Sequence, residues 1–185
     1  MFIQTQPTPN PLTLKFLPGV TVMPDGTRFY TSPEEAKHSP LAEALFAVAK
    51  VTAVFLGADF ISVTREEDVP WEVLKPALLT TIMEHLVSGR PVVTGAAEEE
   101  SGEANADSED SDVVRQIKEL IETRVRPAVA QDGGDIVYRG FHDGIVSLEL
   151  HGACSGCPSS TATLKSGIEN MLKHYVPEVV AVEAV

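Results

Sequence analysis

The chain is 185 residues long, 43% of its residues are hydrophobic, and its formal net charge is −13. This length suits one or two small domains. The acidic balance argues against nucleic acid as a partner, because affinity for nucleic acid rests on cationic contacts to phosphates. No apolar run approaches the ~20 residues that a bilayer-spanning helix needs, so we expect no membrane partner either.

The amino terminus carries no visible targeting signal. Residues 1–4 lack the basic and apolar regions of a signal peptide, and the Arg-rich, acid-poor character of an organelle transit peptide is also missing. We therefore expect a bacterial cytoplasmic protein and regard the mitochondrial matrix as the less favoured location. Two cysteines in such a reducing compartment more often serve a function than a structural crosslink.

The first ninety residues predict a small domain of strands and helices. Short alternating or β-branched runs bounded by proline and glycine turns indicate strands, whereas Ser39-Pro40 is typical of a helix start. Apolar residues recur at helical spacing from Asp68 to Ser88, where Pro76 is expected to mark a first-turn kink or a new helix start. The strands are predicted at Phe2–Gln6, Leu12–Leu17, Phe29–Tyr30, Val51–Leu56 and Phe60–Thr64.

Residues 91–111 are predicted to form a flexible linker. The stretch from Ala96 to Asp112 holds eight acidic residues and no basic one, and such a composition cannot bury enough apolar surface to fold. Like charges extend a segment of this kind. We therefore expect two domains, residues 1–90 and 112–185, that move independently.

The second domain is predicted to follow the order α-β-β-α-β, so the whole chain is expected to be an α+β protein. Its first helix opens near Asp112 and ends near Pro127. Asp132–Asp135 is expected to be a tight turn with a positive φ at a glycine, and Asp143-Gly144 indicates a β-hairpin. The strands are predicted at Ile136–Arg139, Ile145–Leu150 and Val179–Val185.

Both cysteines lie in one loop, Gly152–Ser160, as the Cys-x-x-Cys pair Cys154 and Cys157. A strand pattern precedes the loop, and a helix pattern beginning at Pro158 follows it. Unpaired amides and the dipole at a helix start stabilise negative charge. We therefore expect thiolates, the form of cysteine that binds metal or attacks disulfides.

Two sulfurs are too few for a usual iron–sulfur cluster or a zinc site, because each takes four protein ligands. Either the pair cycles between dithiol and disulfide, as in a thiol–disulfide oxidoreductase, or two chains each supply Cys154 and Cys157. Symmetric dimers are the commonest oligomers, so the second route needs no unusual geometry. A structural zinc site shared by such a dimer is a third alternative.

Several stretches, taken in their order and spacing, carry a resemblance to known proteins. They are Phe2–Pro11, Leu14–Phe16 and Val54–Phe60 in the first half, and Asp132–Ile136, Gly152–Ser160, Thr163–Lys165, Gly167–Glu169 and Pro177–Val179 in the second. The first set is similar to the Nfu amino-terminal domain, and the second set resembles the C-terminal domain of NifU, so the chain resembles the Nfu family of iron–sulfur carriers. Lys50–Ala53 departs from that pattern, because it stands where the amino-terminal family usually has a glycine-containing turn.

This resemblance implies an iron–sulfur cluster assembly protein that is not an enzyme. Such a protein holds a labile [4Fe–4S] cluster between two subunits through Cys154 and Cys157 and passes it to apo-proteins; whether [2Fe–2S] is also carried stays open. The implied partners are a second copy when the cluster is bound, apo iron–sulfur enzymes as recipients, and upstream cluster assembly proteins. The first domain is expected to be non-catalytic.

Four residues near the loop are candidates for supporting roles. Asp132 and Asp135 are hard oxygen donors, so they are poor iron ligands beside soft thiolates. His151 could be a proton partner or an extra ligand, and Lys165 could offset the negative charge of a cluster. The simpler interpretation is that His151 is half-exposed at a strand end and that Lys165 is solvated.

Overall fold

A computed structural model describes residues 1–94, 112–156 and 158–185. The chain divides into two compact units, residues 1–98 and 99–185. Each unit combines helices with a β-sheet, which confirms the predicted α+β class and its two domains. Among the described helices, none has the length and apolar character required to span a membrane.

The first unit is built on a five-stranded antiparallel sheet. Its elements are β1 (Gln4–Pro7), β2 (Thr13–Leu17), β3 (Arg28–Tyr30), a 3₁₀ helix (Glu35–His38), α1 (Pro40–Phe46), β4 (Val51–Leu56), β5 (Ile61–Arg65) and α2 (Trp71–Val87). The strand order is β1-β2-β5-β4-β3. Fully buried side chains such as Phe16 and Ile61 of the sheet, Leu41 of α1 and Leu78 of α2 form one core.

Helix α2 differs from the sequence-based expectation at Pro76. The helix runs without interruption from Trp71 to Val87, and Pro76 lies inside it rather than at a kink in the first turn or at a new start. Pro76 is exposed, so the carbonyl that its missing N–H would have bonded can face water, which lowers the cost of proline within a helix.

The segment that follows α2 packs back onto the first unit. The Ser39 hydroxyl, which caps α1 by accepting a hydrogen bond from the Ala42 amide at 3.1 Å, donates to the Val92 carbonyl at 2.7 Å. The Thr94 amide donates to the His38 carbonyl at 2.7 Å. Residues 91–94, which we expected to begin the linker, therefore lie against the first unit; the rest of that predicted linker, 95–111, falls outside the described residues.

The second unit has the predicted order α-β-β-α-β. Its elements are α3 (Asp112–Leu120), a π-helical turn (Ile121–Val125), α4 (Arg126–Gln131), β6 (Gly134–His142), β7 (Ile145–Gly152), α5 (Pro158–Tyr175) and β8 (Ala181–Ala184). The sheet order is β6-β7-β8; β6 and β7 are antiparallel, and β8 is parallel to β7. The expected hairpin at Asp143-Gly144 is present, with positive φ at both residues.

The first helix of this unit continues past Pro127 to Gln131, whereas the sequence predicted an end near Pro127. The π-helical turn explains the difference. The Arg126 amide bonds to the Ile121 carbonyl, five residues back, and the widened turn leaves Pro127 in the first turn of α4, where a missing N–H costs little. The side chain of Arg126 thereby reaches the start of β6, as described below.

Candidate functional site

Cys154 lies on the turn between β7 and α5. The turn starts at Gly152, whose φ is +65°, and the Ser155 amide donates to the Gly152 carbonyl at 3.0 Å. The Thr161 hydroxyl of α5 donates to the Cys154 carbonyl at 3.0 Å. These bonds fix the backbone of the predicted cysteine loop at Cys154, which is a free thiol; Cys157 falls outside the described residues.

The thiol of Cys154 packs directly against the backbone of Gly134, the first residue of β6. A methyl group at Gly134 would lie 2.7 Å from the Cys154 Sγ atom and 2.7 Å from the His151 carbonyl oxygen, which is closer than such atoms approach in proteins. Only glycine leaves room for the sulfur there. Cys154 is 6% exposed as a result.

Burial, together with the smaller effect of the negative charges of Asp132 and Asp135, raises the pKa of the Cys154 thiol to about 12. The expectation that the helix start makes this residue a thiolate is therefore wrong for Cys154. The thiol precedes the first residue of α5 by four positions, and the influence of a helix dipole falls off within about one turn. Burial and the two carboxylates outweigh it.

The Asp132–Asp135 stretch forms the predicted turn, with Gly133 at φ +81°. Asp135 is buried, and Arg126 donates two hydrogen bonds of 2.8 Å to its two carboxylate oxygens. Arg126 also donates to Glu122 at 2.7 Å, and hydrogen bonding to Asp135 raises the pKa of the guanidinium. A buried ion pair thus supports the strand start against which Cys154 packs.

His151 belongs to a second polar network, on strands β6 and β7. Its Nε2 lies 2.9 Å from Glu149 Oε1, and Arg139 donates to Glu149 Oε2 at 2.6 Å. Burial raises the pKa of Glu149, but the hydrogen bonds from His151 and Arg139 together bring it below its usual value. The His151 side chain is 14% exposed, so it is more buried than the half-exposed residue we expected.

The remaining candidate, Lys165, is exposed on α5. Within the described ranges, no group of three or more His, Cys, Asp or Glu side chains is arranged to hold a metal ion. The structure therefore brings Asp132, Asp135 and His151 near Cys154 without forming a complete ligand set from described residues. Arg126 and Thr161 were not identified from the sequence, because their roles depend on contacts between separate stretches of the chain.

Two family models match the chain. The model described as the scaffold protein Nfu/NifU N-terminal domain matches residues 3–89, and the model of the NifU-like domain matches residues 117–183. The two matches fall in the two structural units and leave the whole acidic stretch from Ala96 to Asp112 outside.

Curated relatives match over the whole length. The human "NFU1 iron-sulfur cluster scaffold homolog, mitochondrial" is 54% identical and is matched over 100% of this chain and 72% of its own. The Arabidopsis thaliana "NifU-like protein 5, mitochondrial" is 51% identical, over 99% of this chain and 67% of its own. The human relative is named as a scaffold rather than an enzyme.

The expectation of a bacterial cytoplasmic location is wrong, because these relatives are mitochondrial proteins and point to the mitochondrion. A transit peptide is removed on import, so the lack of a visible one says nothing about the compartment. With both family models matched in order, and with relatives more than half identical across the whole chain, the chain belongs to the Nfu family of iron–sulfur cluster scaffold proteins.

Proposed function

We propose that this chain is an iron–sulfur cluster carrier. It holds a [4Fe–4S] cluster as cargo between two copies, with Cys154 and Cys157 of each copy as ligands, and delivers the cluster to apo-proteins. The family membership supports the iron–sulfur part of this function, since the human relative is named as a cluster scaffold. The structure of the second unit supports the choice of ligands.

One observation carries the proposal. The only two cysteines of the chain stand three residues apart in one loop, and Cys154 is fixed there with its thiol against Gly134. An iron–sulfur cluster needs four protein ligands, and a single copy supplies two thiols. Two copies complete the set, as in a symmetric dimer.

The surroundings of Cys154 favour a cargo that can be released. The Cys154 thiol has a raised pKa, so binding a cluster must displace its proton, and proton release weakens the net affinity. The negative charges of Asp132 and Asp135, which raise this pKa, also oppose the negative charge of thiolate ligands. Thiolates of a recipient can then displace the carrier's ligands one at a time.

The raised pKa of Cys154 also disfavours the thiol–disulfide oxidoreductase alternative. An attacking cysteine in such an enzyme needs a lowered pKa, whereas burial raises that of Cys154 to about 12.

Upstream cluster assembly proteins and apo iron–sulfur enzymes are the partners that a carrier requires. The first unit is a non-catalytic module in this proposal.

The test is anaerobic reconstitution of the full chain with iron and sulfide, followed by Mössbauer spectroscopy and mass measurement in solution. We expect about two irons per chain, the share of one [4Fe–4S] cluster held by two copies, and a dimer when the cluster is bound. Cys154→Ser should lose the visible absorption and the cluster-linked dimer together, whereas Ser155→Ala, in the same loop, should keep both.

Two results would overturn the proposal. One is a monomer that binds about four irons per chain, since a single copy would then hold a whole cluster. The other is a Cys154→Ser variant that takes up the full complement of iron and sulfide. A colourless wild type that turns over a disulfide substrate would support the oxidoreductase instead.

A further inference from the structure

Helix α2 presents an apolar surface on the side opposite the core of the first unit. Val73, Met83 and Val87 are 63%, 40% and 70% exposed, and Pro76 and Thr80 are exposed between them. These residues follow one another at alternating steps of three and four, which places them on one face of the helix. We call Val73, Pro76, Thr80, Met83 and Val87 the α2 stripe.

The α2 stripe is less polar than its composition indicates. The Thr80 hydroxyl donates to the Pro76 carbonyl of the preceding turn at 3.0 Å, so its hydrogen is directed to the helix and its methyl group adds to the apolar surface. From Val73 to Val87 the stripe is about 21 Å long at ~1.5 Å per residue. That length suits a helix of another chain better than a small molecule.

The charged residues beside the stripe indicate which kind of partner can bind there. At 100° per residue, Glu72 and Glu84 lie on opposite sides of the stripe, and both are exposed. Lys75, the only Lys or Arg in α2, is partly buried toward the core side. A second copy would therefore place glutamates against glutamates, and the acidic stretch from Ala96 to Asp112 would be repelled in the same way.

We propose that the α2 stripe docks an amphipathic helix of a partner protein whose apolar seam is flanked by Lys or Arg. Apolar residues at alternating steps of three and four are the pattern by which two helices interdigitate, and a basic flank pairs with Glu72 and Glu84. This interaction is independent of the cluster and of Cys154. It gives the first unit a recognition surface of its own.

The probe is a synthetic helical peptide with leucines at heptad spacing and lysines on both flanks, titrated into the full chain by fluorescence anisotropy. Its isomer, with glutamates in place of the lysines, is the charge control. We expect the lysine peptide to bind and its glutamate isomer not to bind. The double variant Val73→Ser, Val87→Ser removes the two most exposed valines of the stripe and should weaken binding by about tenfold, in the range expected for loss of apolar interface anchors. Val20→Ser, at an exposed valine outside α2, should have no effect.

The variants leave the net charge unchanged, so they separate docking on α2 from attraction to the acidic stretch. Equal binding to wild type and to the double variant would overturn the proposal, since the peptide would then be held by charge elsewhere. Binding of the glutamate isomer would overturn the choice of a basic partner. Self-association that the double variant abolishes would show a second copy on the stripe and would also overturn it.

Discussion

His85 in the first unit and Asp135 in the second are both 4% exposed, yet the fold accommodates them in opposite ways. The His85 Nε2 lies 3.2 Å from the Pro91 carbonyl oxygen, and burial lowers the pKa of the ring, which favours its neutral form. Asp135 is paired with the guanidinium of Arg126 through two hydrogen bonds of 2.8 Å. A buried polar group can thus either avoid charge or be matched by an opposite charge.

The two solutions differ in what they hold in place. His85 contacts the segment that packs back after α2, far in sequence from any candidate ligand. Asp135 follows Gly134, against which the Cys154 thiol packs. The second unit thus uses an ion pair to fix the strand start that Cys154 packs against. Removing one member of a buried ion pair leaves an uncompensated charge. We therefore expect the loss of a buried polar partner to destabilise the second unit more than the first.

Arg126→Gln is the variant with the largest expected effect on stability. It leaves the Asp135 carboxylate without its main partner, and we expect the free energy of unfolding of the second unit to fall by about 2–4 kcal/mol. This is somewhat less than the roughly 3–5 kcal/mol for a fully buried pair, because Arg126 is partly exposed. Hydrogen exchange of the β6 and β7 amides measures the loss. Trp71, the only tryptophan, should report an unchanged first unit by fluorescence.

Arg115→Gln is the matched control, because Arg115 pairs with Asp112 on the surface, with side chains 70% and 91% exposed. Such a surface pair contributes at most about 1 kcal/mol. If the two variants destabilised the second unit equally, the contrast between a buried ion pair and an exposed one would not hold here. A drop in the first unit alone would contradict the assignment of Arg126 to the candidate site.

Gly134→Ala tests the close packing beside the thiol rather than its charge. The added methyl group would lie 2.7 Å from Cys154 Sγ, so either the strand or the cysteine loop must shift, at a cost of about 1–3 kcal/mol. We expect weaker retention of iron after anaerobic reconstitution and faster exchange of the amides around Gly152. Gly167→Ala, in α5 with no atom within 4 Å of the added group, should be neutral or slightly stabilising.

Iron retention in Gly134→Ala equal to that of the wild type would show that the loop position does not depend on this contact. The matched glycine makes that result informative, since both variants add one methyl group to the same unit. Loss of iron retention in Gly167→Ala but not in Gly134→Ala would show that the site depends on helix α5 and not on the contact between Gly134 and Cys154.

The elements of both units were largely predictable because hydrophobic periodicity and turn residues mark them locally. The Asp143-Gly144 hairpin and the α-β-β-α-β order are examples. The continuation of helices through Pro76 and Pro127 was not predictable. In one case the proline lies on an exposed face, and in the other a π-helical turn absorbs it, and neither feature has a local sequence signal.

The candidate site was predictable only in part. The cysteine pair and its place before a helix could be read from spacing, but the protonation state of Cys154 could not. It depends on burial and on Asp132 and Asp135, and these effects arise only when the strands pair. The partnership of Arg126 with Asp135 is likewise a contact across a turn, which charge counts along the chain do not reveal.

His85→Gln gives the smallest expected effect and tests whether the buried, neutral His85 controls the pH response of the first unit. The unfolded ring titrates near 6.5, and burial lowers the pKa of the folded ring. The contribution of neutral His85 to the free energy of unfolding is therefore fully present above pH 6.5. It is lost as the pH falls from there through the pKa of the folded ring, because the unfolded chain takes up the proton more readily. Glutamine can still donate to the Pro91 carbonyl but does not titrate.

We therefore expect wild type to lose stability in the first unit below pH 6.5 more steeply than His85→Gln does, with Trp71 fluorescence during denaturant unfolding as the measurement. The difference between the two slopes isolates His85 from the four other histidines, which both proteins share. Parallel slopes would show that the buried ring does not control the pH response. Burying a neutral His85 would then not lower the stability of the first unit at acid pH. The two units would differ less in stability than the contrast between His85 and Asp135 indicates.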